Sequence, residues 1–515
     1  MLHPGSPQAR TITRRGLLRT AAGIAATAAL QQPLLRAAAA AASQSSILAD
    51  LSSRLTGRVL RPADADYLAW SVSANTRFDS VLPLAVALCA NEADVQQAIA
   101  SANLAGVPLA VRGGGHNYIG MSSTAGLLIV TRMMRRIDVN TRAGEAVIGA
   151  GAIIGELLKT LRGGSWMLPV GSCPQVGVAG LTLGGGVGDN ARWAGLTCDH
   201  LTATSAVDAS GTPILIDKAN NPDLFWGCQG GGGGNFALHT SLSFQLAPTP
   251  AKVAYFALEF AGREATARAY SALDKILHAA PDAFSAFAFV RTRPRADQPD
   301  ATPWQLDPAV FPNIEIVGSF VGTESDLKDL VAPLLALQPA ARIFDSGDFW
   351  QAQDWLAVPA GLRHGWIDVN RYMERTLTDA EIGEMMDLLL AAPFGRADRY
   401  VEFGLFGWVG GAVRKRVPAD SAYVHRNATC MLRAGADWDL GVPLADQMAL
   451  NDWIDGAYEF LRRVATASSY MNWPNERITD WPQAYYGANL PRLMDVKKHY
   501  DPRNVFSSAQ SIPFA

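Results

Sequence analysis

The chain has 515 residues, 49% of them hydrophobic and 18% charged, with 47 glycines and 29 prolines; it is too long for a single small module and too apolar for a disordered chain. A formal net charge of −3 argues against a basic nucleic-acid surface. Five cysteines without a CxxC pair, and histidines scattered without ligand spacing, argue against a disulfide scaffold and against a metal site.

Residues 1–42 hold Arg10, Arg14, Arg15, Arg19 and Arg36 but no lysine and no acid, so the remainder of the chain has a charge of −8. Thr13-Arg14-Arg15-Gly16-Leu17-Leu18 is a twin-arginine pattern, followed by an alanine-rich stretch and the alanine run 37–42, which suits cleavage. The expectation is a Tat signal peptide and a periplasmic or extracellular mature protein, with the Tat translocase as a transient partner. Arg19, Gln31, Gln32 and Pro33 interrupt the apolar run, leaving it short of the ~20 residues of a membrane span. No stable membrane insertion is expected after cleavage. Tat export moves a folded chain, which suits a protein whose cofactor is inserted first.

From about residue 45 to 250, short aliphatic runs alternate with helical segments and glycine turns, the texture of an α+β fold. A helix is expected over residues 90–103, with Val95, Ile99 and Ala102 on one side, then a buried strand over 107–112 that enters a glycine loop. Further strands are expected at 127–131, 145–149 and 213–217, buried on at least one face. After Pro248-Thr-Pro250 the strands become longer and aromatic, at 253–260, 284–290, 314–320 and 400–406, with helices at 326–337 and 379–392. That pattern predicts an antiparallel sheet with helices on one face, a substrate domain over about 251–455. A helix is expected over 450–467, and residues 456–515 form a turn-rich C-terminal segment.

Three glycine clusters dominate the first half: Arg112-Gly113-Gly114-Gly115-His116-Asn117-Tyr118, Gly184-Gly185-Gly186-Val187-Gly188, and Gly230 to Gly234 followed by Asn235. Such runs let backbone N–H groups converge on an anion without Cβ clashes, and they equally serve tight turns. None fits the Walker pattern, and no Gly-x-Gly-x-x-Gly is placed as a Rossmann fingerprint requires. Three clusters in one domain favour a dinucleotide with a pyrophosphate. His116 closes one glycine loop and Cys173 lies in another, Gly171-Ser-Cys-Pro-Gln-Val-Gly-Val-Ala-Gly180. Taken alone, each residue is more readily a satisfied or buried side chain than a reactive one.

Together these motifs resemble the berberine-bridge-enzyme-like branch of covalent flavoproteins, with the vanillyl-alcohol-oxidase (PCMH) type of FAD fold, over most of the mature chain. Also similar to the family are Gly180-Leu-Thr-Leu-Gly184, Arg192-Trp-Ala-Gly-Leu-Thr-Cys-Asp199 and the tail 485–513. The resemblance implies an FAD domain over 45–250 to which the tail 456–515 returns. It implies FAD bonded twice, His116 to the flavin 8α-methyl and Cys173 to flavin C6. Arg112, Gly113, Gly114, Gly115, Asn117, Val176, Gly177, Gly180, Gly184, Gly185, Gly186, Asn235 and Asn472 belong to the cofactor site by the same resemblance.

The family's catalytic base is often the first Tyr of a Tyr-x-Asn-Tyr element, which falls on Tyr470 in Tyr470-Met-Asn472-Trp473; Trp473 replaces the second Tyr. Tyr118 is a second candidate. Val187 stands where the family often has a Tyr that can hydrogen-bond the catalytic phenol, which leaves the activation of Tyr470 open. Trp408 and Tyr423 are candidates for the substrate lining and equally for the core. Val176 is expected at the oxygen-reacting edge of the flavin, where valine leaves room for O2. The implied activity is oxidation of a hydroxyl-bearing carbon of a small molecule, such as a sugar, glycoside or secondary-metabolite alcohol, with O2 reduced to H2O2. Alternatives are an amine or ring-closing oxidase, an FAD-dependent dehydrogenase with another acceptor, and a flavin-binding protein without turnover.

Overall fold

The computed structural model describes residues 46–292, 309, 311–392 and 398–514, so the signal expected over residues 1–42 lies outside them. The aliphatic runs of the first half build two sheets. Ala85–Leu88, Leu127–Val130 and Leu109–Arg112 run parallel, and Arg58–Leu60 joins them antiparallel at one edge. The parallel order requires a crossover, which the helix Glu92–Ala105 supplies. Asn91 caps it by accepting the Asp94 N–H at 2.9 Å, and Gly106 ends it in the left-handed conformation. Val95, Ile99 and Ala102 are buried against the sheet, each large side chain contributing roughly 1.5–3 kcal/mol.

A five-stranded antiparallel sheet follows, in the order Ile137–Asn140, Glu145–Gly149, Leu238–Gln245, Leu201–Val207, Pro213–Asp217. Pro213–Asp217 is an edge strand in which only Ile216 is buried, so its aliphatic composition overstates its burial.

The second half builds a seven-stranded, wholly antiparallel sheet: Ala341–Gly347, Val253–Ala261, Asn313–Phe320, Phe284–Arg291, Arg399–Phe406, Cys430–Trp438 and Gly365–Met373, in spatial order. Helices Arg263–Ala279, Asp379–Leu390 and Leu444–Val464 cover one face. Three of these strands, Ala341–Gly347, Gly365–Met373 and Cys430–Trp438, are absent from the sequence reading, because charged residues interrupt their apolar pattern. The expected helix at 326–337 is two short ones, Glu324–Leu330 and Ala332–Leu335; Pro333 has no N–H to continue the first. The helix expected at 450–467 runs Leu444–Val464. Its first two turns expose Leu444 and Met448, so the period of buried residues begins later than the helix does.

The last helix of the tail, Leu490–Tyr500, packs onto the helix Pro222–Gly227 of the first half. The fully buried Lys497 ammonium donates to Asp501 Oδ2 at 2.6 Å, Asn235 O at 2.7 Å and Phe506 O at 2.6 Å. Asn235 Oδ1 accepts the Ile512 N–H at 3.0 Å, a second tie between the tail and the five-glycine loop. Breaking a buried ion pair from one side leaves an uncompensated charge. Lys497→Met is therefore expected to lower the unfolding free energy by about 3–5 kcal/mol, read as a fall in the urea midpoint.

Candidate active site

The strand Leu109–Arg112 delivers the chain into the His116 loop. Gly114 lies on Gly177 backbone to backbone: a Cβ on Gly114 would sit 2.3 Å from the Gly177 nitrogen. These two glycines hold the His116 loop against the Cys173 loop. Gly113 faces Ala150 O, and Gly115, with φ +71°, rests on the Arg112 side chain. Arg112 donates to the carbonyls of Trp70, Ser71, Val72 and Ser122 and to Ser123 Oγ, all at 2.9–3.0 Å. Asn117 Oδ1 accepts the N–H groups of Ile119 and Met121. Arg112 and Asn117 thus fasten the loop with their side chains, leaving its backbone and the His116 ring to meet a cofactor.

The half-buried His116 ring lies 5.4 Å from the Trp366 ring. Burial, helped by His364, pulls its pKa down to about 4, so the imidazole is neutral and keeps a lone pair at pH 7. Of the five free cysteines, only Cys173 is not fully buried. Burial still raises its thiol, with the Ser172 hydrogen bond opposing; a proton acceptor is needed to make the thiolate. Val176 is half-buried and packs on the main core.

The helix Val178–Leu183 starts just after Gly177. A Cβ on Gly180 or Gly234 would meet nothing within 4 Å, and one on Gly233 would come 3.8 Å from the Gly180 Cα. The two glycine segments therefore flank open space, a cradle in which a phosphate chain can approach the backbone. Asn235 closes the five-glycine loop by donating to Gly231 O at 2.9 Å. Its side chain, like those of Arg112 and Asn117, is committed to protein partners. The cradle, the neutral His116 and the partly buried Cys173 thiol fit an FAD.

At the far side of the cradle, the turn 469–473 brings in Tyr470. Asn370, buried on the strand Gly365–Met373, holds this turn: its Oδ1 accepts the Tyr470 N–H at 2.8 Å and the Ser469 hydroxyl at 3.0 Å, and its Nδ2 donates to Trp473 O at 2.7 Å. The Tyr470 phenol oxygen accepts from Gly186 N at 3.1 Å, Val187 N at 3.0 Å and Asn472 Nδ2 at 3.0 Å. Asn472 Nδ2 also donates to Leu181 O, and a Cβ on Gly184 would fall 2.0 Å from Asn472 Oδ1. Gly184, Gly185 and Gly186 thus let the backbone turn tightly enough to aim two N–H groups at one phenol.

Burial pushes Tyr470 up to about 12, while the three donors pull it back. Tyr118 is pushed well above its ordinary value by burial and by Asp368, with Arg433 opposing. The surroundings therefore favour the Tyr470 phenolate over that of Tyr118. Val187 supplies its backbone N–H, so no side chain is needed at that position to hydrogen-bond the phenol.

The sheet face turned toward this site carries residues that sequence reasoning missed. Trp366, Asp368, Asn370 and Tyr372 alternate along Gly365–Met373, and that period of two was the available signal. Arg433 Nε donates to Asp368 Oδ1 at 2.7 Å, Arg433 also pairs with Glu402, and Arg291 Nε donates to Glu402 Oε2 at 2.8 Å. Burial raises the Asp368 carboxyl against the pull of Arg433. Beside this charged strip lie Phe287, Phe289, Phe406, Trp408 and Trp473, a cluster of ring contacts. Trp408 is buried within that cluster; Tyr423 is buried too, its hydroxyl 2.7 Å from the Tyr372 hydroxyl.

Two family models match the chain, an FAD binding domain over residues 83–216 and the berberine and berberine-like segment over 469–513. The Bacillus subtilis FAD-linked oxidoreductase YgaK is 32% identical over 468 residues, 90% of this chain and 98% of that protein. The chain belongs to the berberine-bridge-enzyme-like FAD-linked oxidoreductases. Among solved structures, BBE-like 1 of Physcomitrella patens superposes with a TM-score of 0.79 at 25% identity, covering 91% of this chain and 99% of that one. The glucooligosaccharide oxidase of Acremonium strictum, which carries a 6-S-cysteinyl, 8α-N1-histidyl FAD, matches with a TM-score of 0.78 at 22% identity over 91% and 99% of the two chains. Family membership makes this chain an oxidoreductase that uses FAD, and the α+β architecture is that of these structures. Among the described residues, no helix is long and apolar enough to cross a membrane.

Gly184→Ala would displace the Asn472 amide and remove one donor from the Tyr470 oxygen. Flavin reduction is expected to slow on the order of tenfold, the effect of losing roughly 1.5 kcal/mol of hydrogen bonding to a charged oxygen; the fluorescence of the bound flavin and the melting temperature serve as controls for the fold.

Proposed function

We propose that this protein is an oxidase of hydroxyl-bearing carbon in a small molecule such as a sugar, glycoside or secondary-metabolite alcohol, producing a carbonyl compound and H2O2. The observation that carries the reading is the buried Tyr470 oxygen with its three N–H donors, in a turn held between the second glycine cluster and the seven-stranded sheet. An isolated phenol has two lone pairs to offer; three donors match the phenolate, and so favour the form that accepts a proton.

His116 and Cys173 would hold the FAD, by a bond to each, as in the Acremonium relative. The FAD, when bound, supplies hydride acceptance and the return of electrons to oxygen. The residues of the chain do the rest. Tyr470 takes the substrate's hydroxyl proton, and Gly186, Val187 and Asn472 stabilise the charge through which it does so. Asn370 keeps the phenol in place. The aromatic cluster supplies an apolar wall and the Asp368, Arg433 and Glu402 strip supplies hydrogen-bonding groups, a pairing that suits a ring bearing hydroxyls. Val176 leaves room for O2 where a larger side chain would fill it. Tat export with FAD already attached follows from the twin-arginine segment.

The test is H2O2 release by the purified protein with a panel of sugars, phenolic alcohols and cyclic amines, combined with stopped-flow reoxidation in air-saturated buffer. Turnover of an alcohol with stoichiometric peroxide is expected, with fast reoxidation that slows clearly in Val176→Leu. Turnover confined to cyclic amines would move the reaction to C–N oxidation, and turnover only with an artificial acceptor would make the protein a dehydrogenase.

A further inference from the structure

Buried carboxyl groups in this chain are partnered. Asp94 accepts backbone N–H groups, Asp274 accepts the Leu377 N–H, Asp368 and Glu402 hold arginines, and Asp501 holds Lys497. Asp189 differs: it is 5% exposed and its Oδ1 has no hydrogen-bond partner; Asp274 Oδ1 is likewise unbonded, but that carboxyl holds the Leu377 N–H with its other oxygen and lies 3.2 Å from His278 Nδ1. An unsatisfied buried group of this kind costs roughly 1–3 kcal/mol or more when charged and calls for a cause.

Its position supplies one. Asp189 directly follows Gly188, and a Cβ on Gly188 would lie 2.0 Å from Val170 O and 2.9 Å from the Gly171 Cα. The turn that carries Asp189 is therefore packed on the start of the loop Gly171-Ser172-Cys173. It is also held to the opposite half of the molecule, because the neighbouring Asn190 donates to Gln353 Oε1 at 3.0 Å. The charged groups that act on the Cys173 thiol are Asp189, from this turn, and Arg433, from the substrate sheet; Ser172 adds a hydrogen bond.

We propose that Asp189 is the proton acceptor for the Cys173 thiol when its sulfur bonds the flavin ring, so that the chain completes its second flavin linkage itself. The inference rests on the reading that Cys173 is linked. The benzenoid edge of an oxidised flavin carries no N–H or O–H, so in a bond-forming step at C6 the thiol is the proton source that a carboxylate beside this loop would serve. Burial raises Asp189 to about 7, which matches an acceptor working near neutral pH. The step balances as follows. The S–H bond breaks and Asp189 takes the proton; the sulfur forms its bond to flavin C6; the C6 hydrogen leaves as a proton. The electron pair stays on the flavin, and O2 removes it, with the two protons, as H2O2.

The experiment uses full-length protein produced under riboflavin starvation and then supplied with FAD in air, with attachment followed by intact mass and by mass spectrometry of the flavin-bearing peptides. Native protein is expected to acquire both links, Cys173→Ala the His116 link alone. Asp189→Asn should acquire the His116 link at the native rate, which shows that it folds and binds FAD. Its Cys173 link should form about 10²-fold more slowly at pH 7, the scale of lost general-base help, and recover as the pH is raised toward 9. Asp189→Glu, which keeps a carboxylate, should restore much of the native rate and serves should Asp189→Asn fail to fold. Both links forming at the native rate in Asp189→Asn, or in Asp189→Ala where Asn does not fold, overturns the proposal alone. A missing Cys173 link in the native protein overturns it together with the two-bond reading.

Discussion

A single oxygen atom gathers the distant parts of this molecule. The Tyr470 phenol accepts from the backbone of Gly186 and Val187 in the second glycine cluster and from Asn472 in its own turn. The same turn is bolted to the seven-stranded sheet by Asn370. The glycine loops, the tail and the seven-stranded sheet must all be in register for those donors to converge. Three main sheets, built from separate stretches of chain, are thereby tied to the position of one side chain.

Glycine acts here in two different ways. At Gly114 and Gly177 its lack of a Cβ lets two loops touch backbone to backbone, which brings His116 and Cys173 to one space. At Gly180 and Gly234 the place of the Cβ is open, and there a ligand can come close. Polar side chains that look like ligands in a motif are consumed by protein partners, Arg112 above all by the carbonyls of Trp70, Ser71 and Val72. The motif is thus largely a scaffold, with a small number of reactive groups at its edge. Burial then sets their chemistry: it keeps His116 neutral and raises the Cys173 thiol and the Tyr470 phenol.

Much of this was legible in the amino-acid sequence. Apolar periods located the crossover helix Glu92–Ala105 and the aromatic strands, and family-like motifs pointed to His116, Cys173 and Tyr470 before any coordinate. The strand Gly365–Met373 was not legible. It is buried on both faces, one against helices and one against the site, so Asp368, Asn370 and Arg371 sit where an apolar run is expected. Its polar residues find partners remote in sequence, Arg433 for Asp368, the 469–473 turn for Asn370, and Tyr458 and Ala467 for Arg371, and beyond its period of two the strand itself carries no sign of them. Val187 was misleading for a related reason. A side chain can be read from a sequence, whereas the direction of its backbone N–H depends on the turn around Gly185 and Gly186.

The central claim is that Tyr470 receives the substrate's proton. The measurement that tests it most directly is the pH dependence of anaerobic flavin reduction, by an alcohol the protein turns over, in the native protein and in Tyr470→Phe. With the phenol raised to about 12 by burial, the phenolate is a minor form at neutrality and its share grows with pH. The native rate should therefore climb from pH 6 to 10 without levelling off. Tyr470→Phe should keep its bound flavin, lose that slope and reduce on the order of 10²-fold more slowly. A variant that reduces at the native rate, with the native slope, would contradict the account.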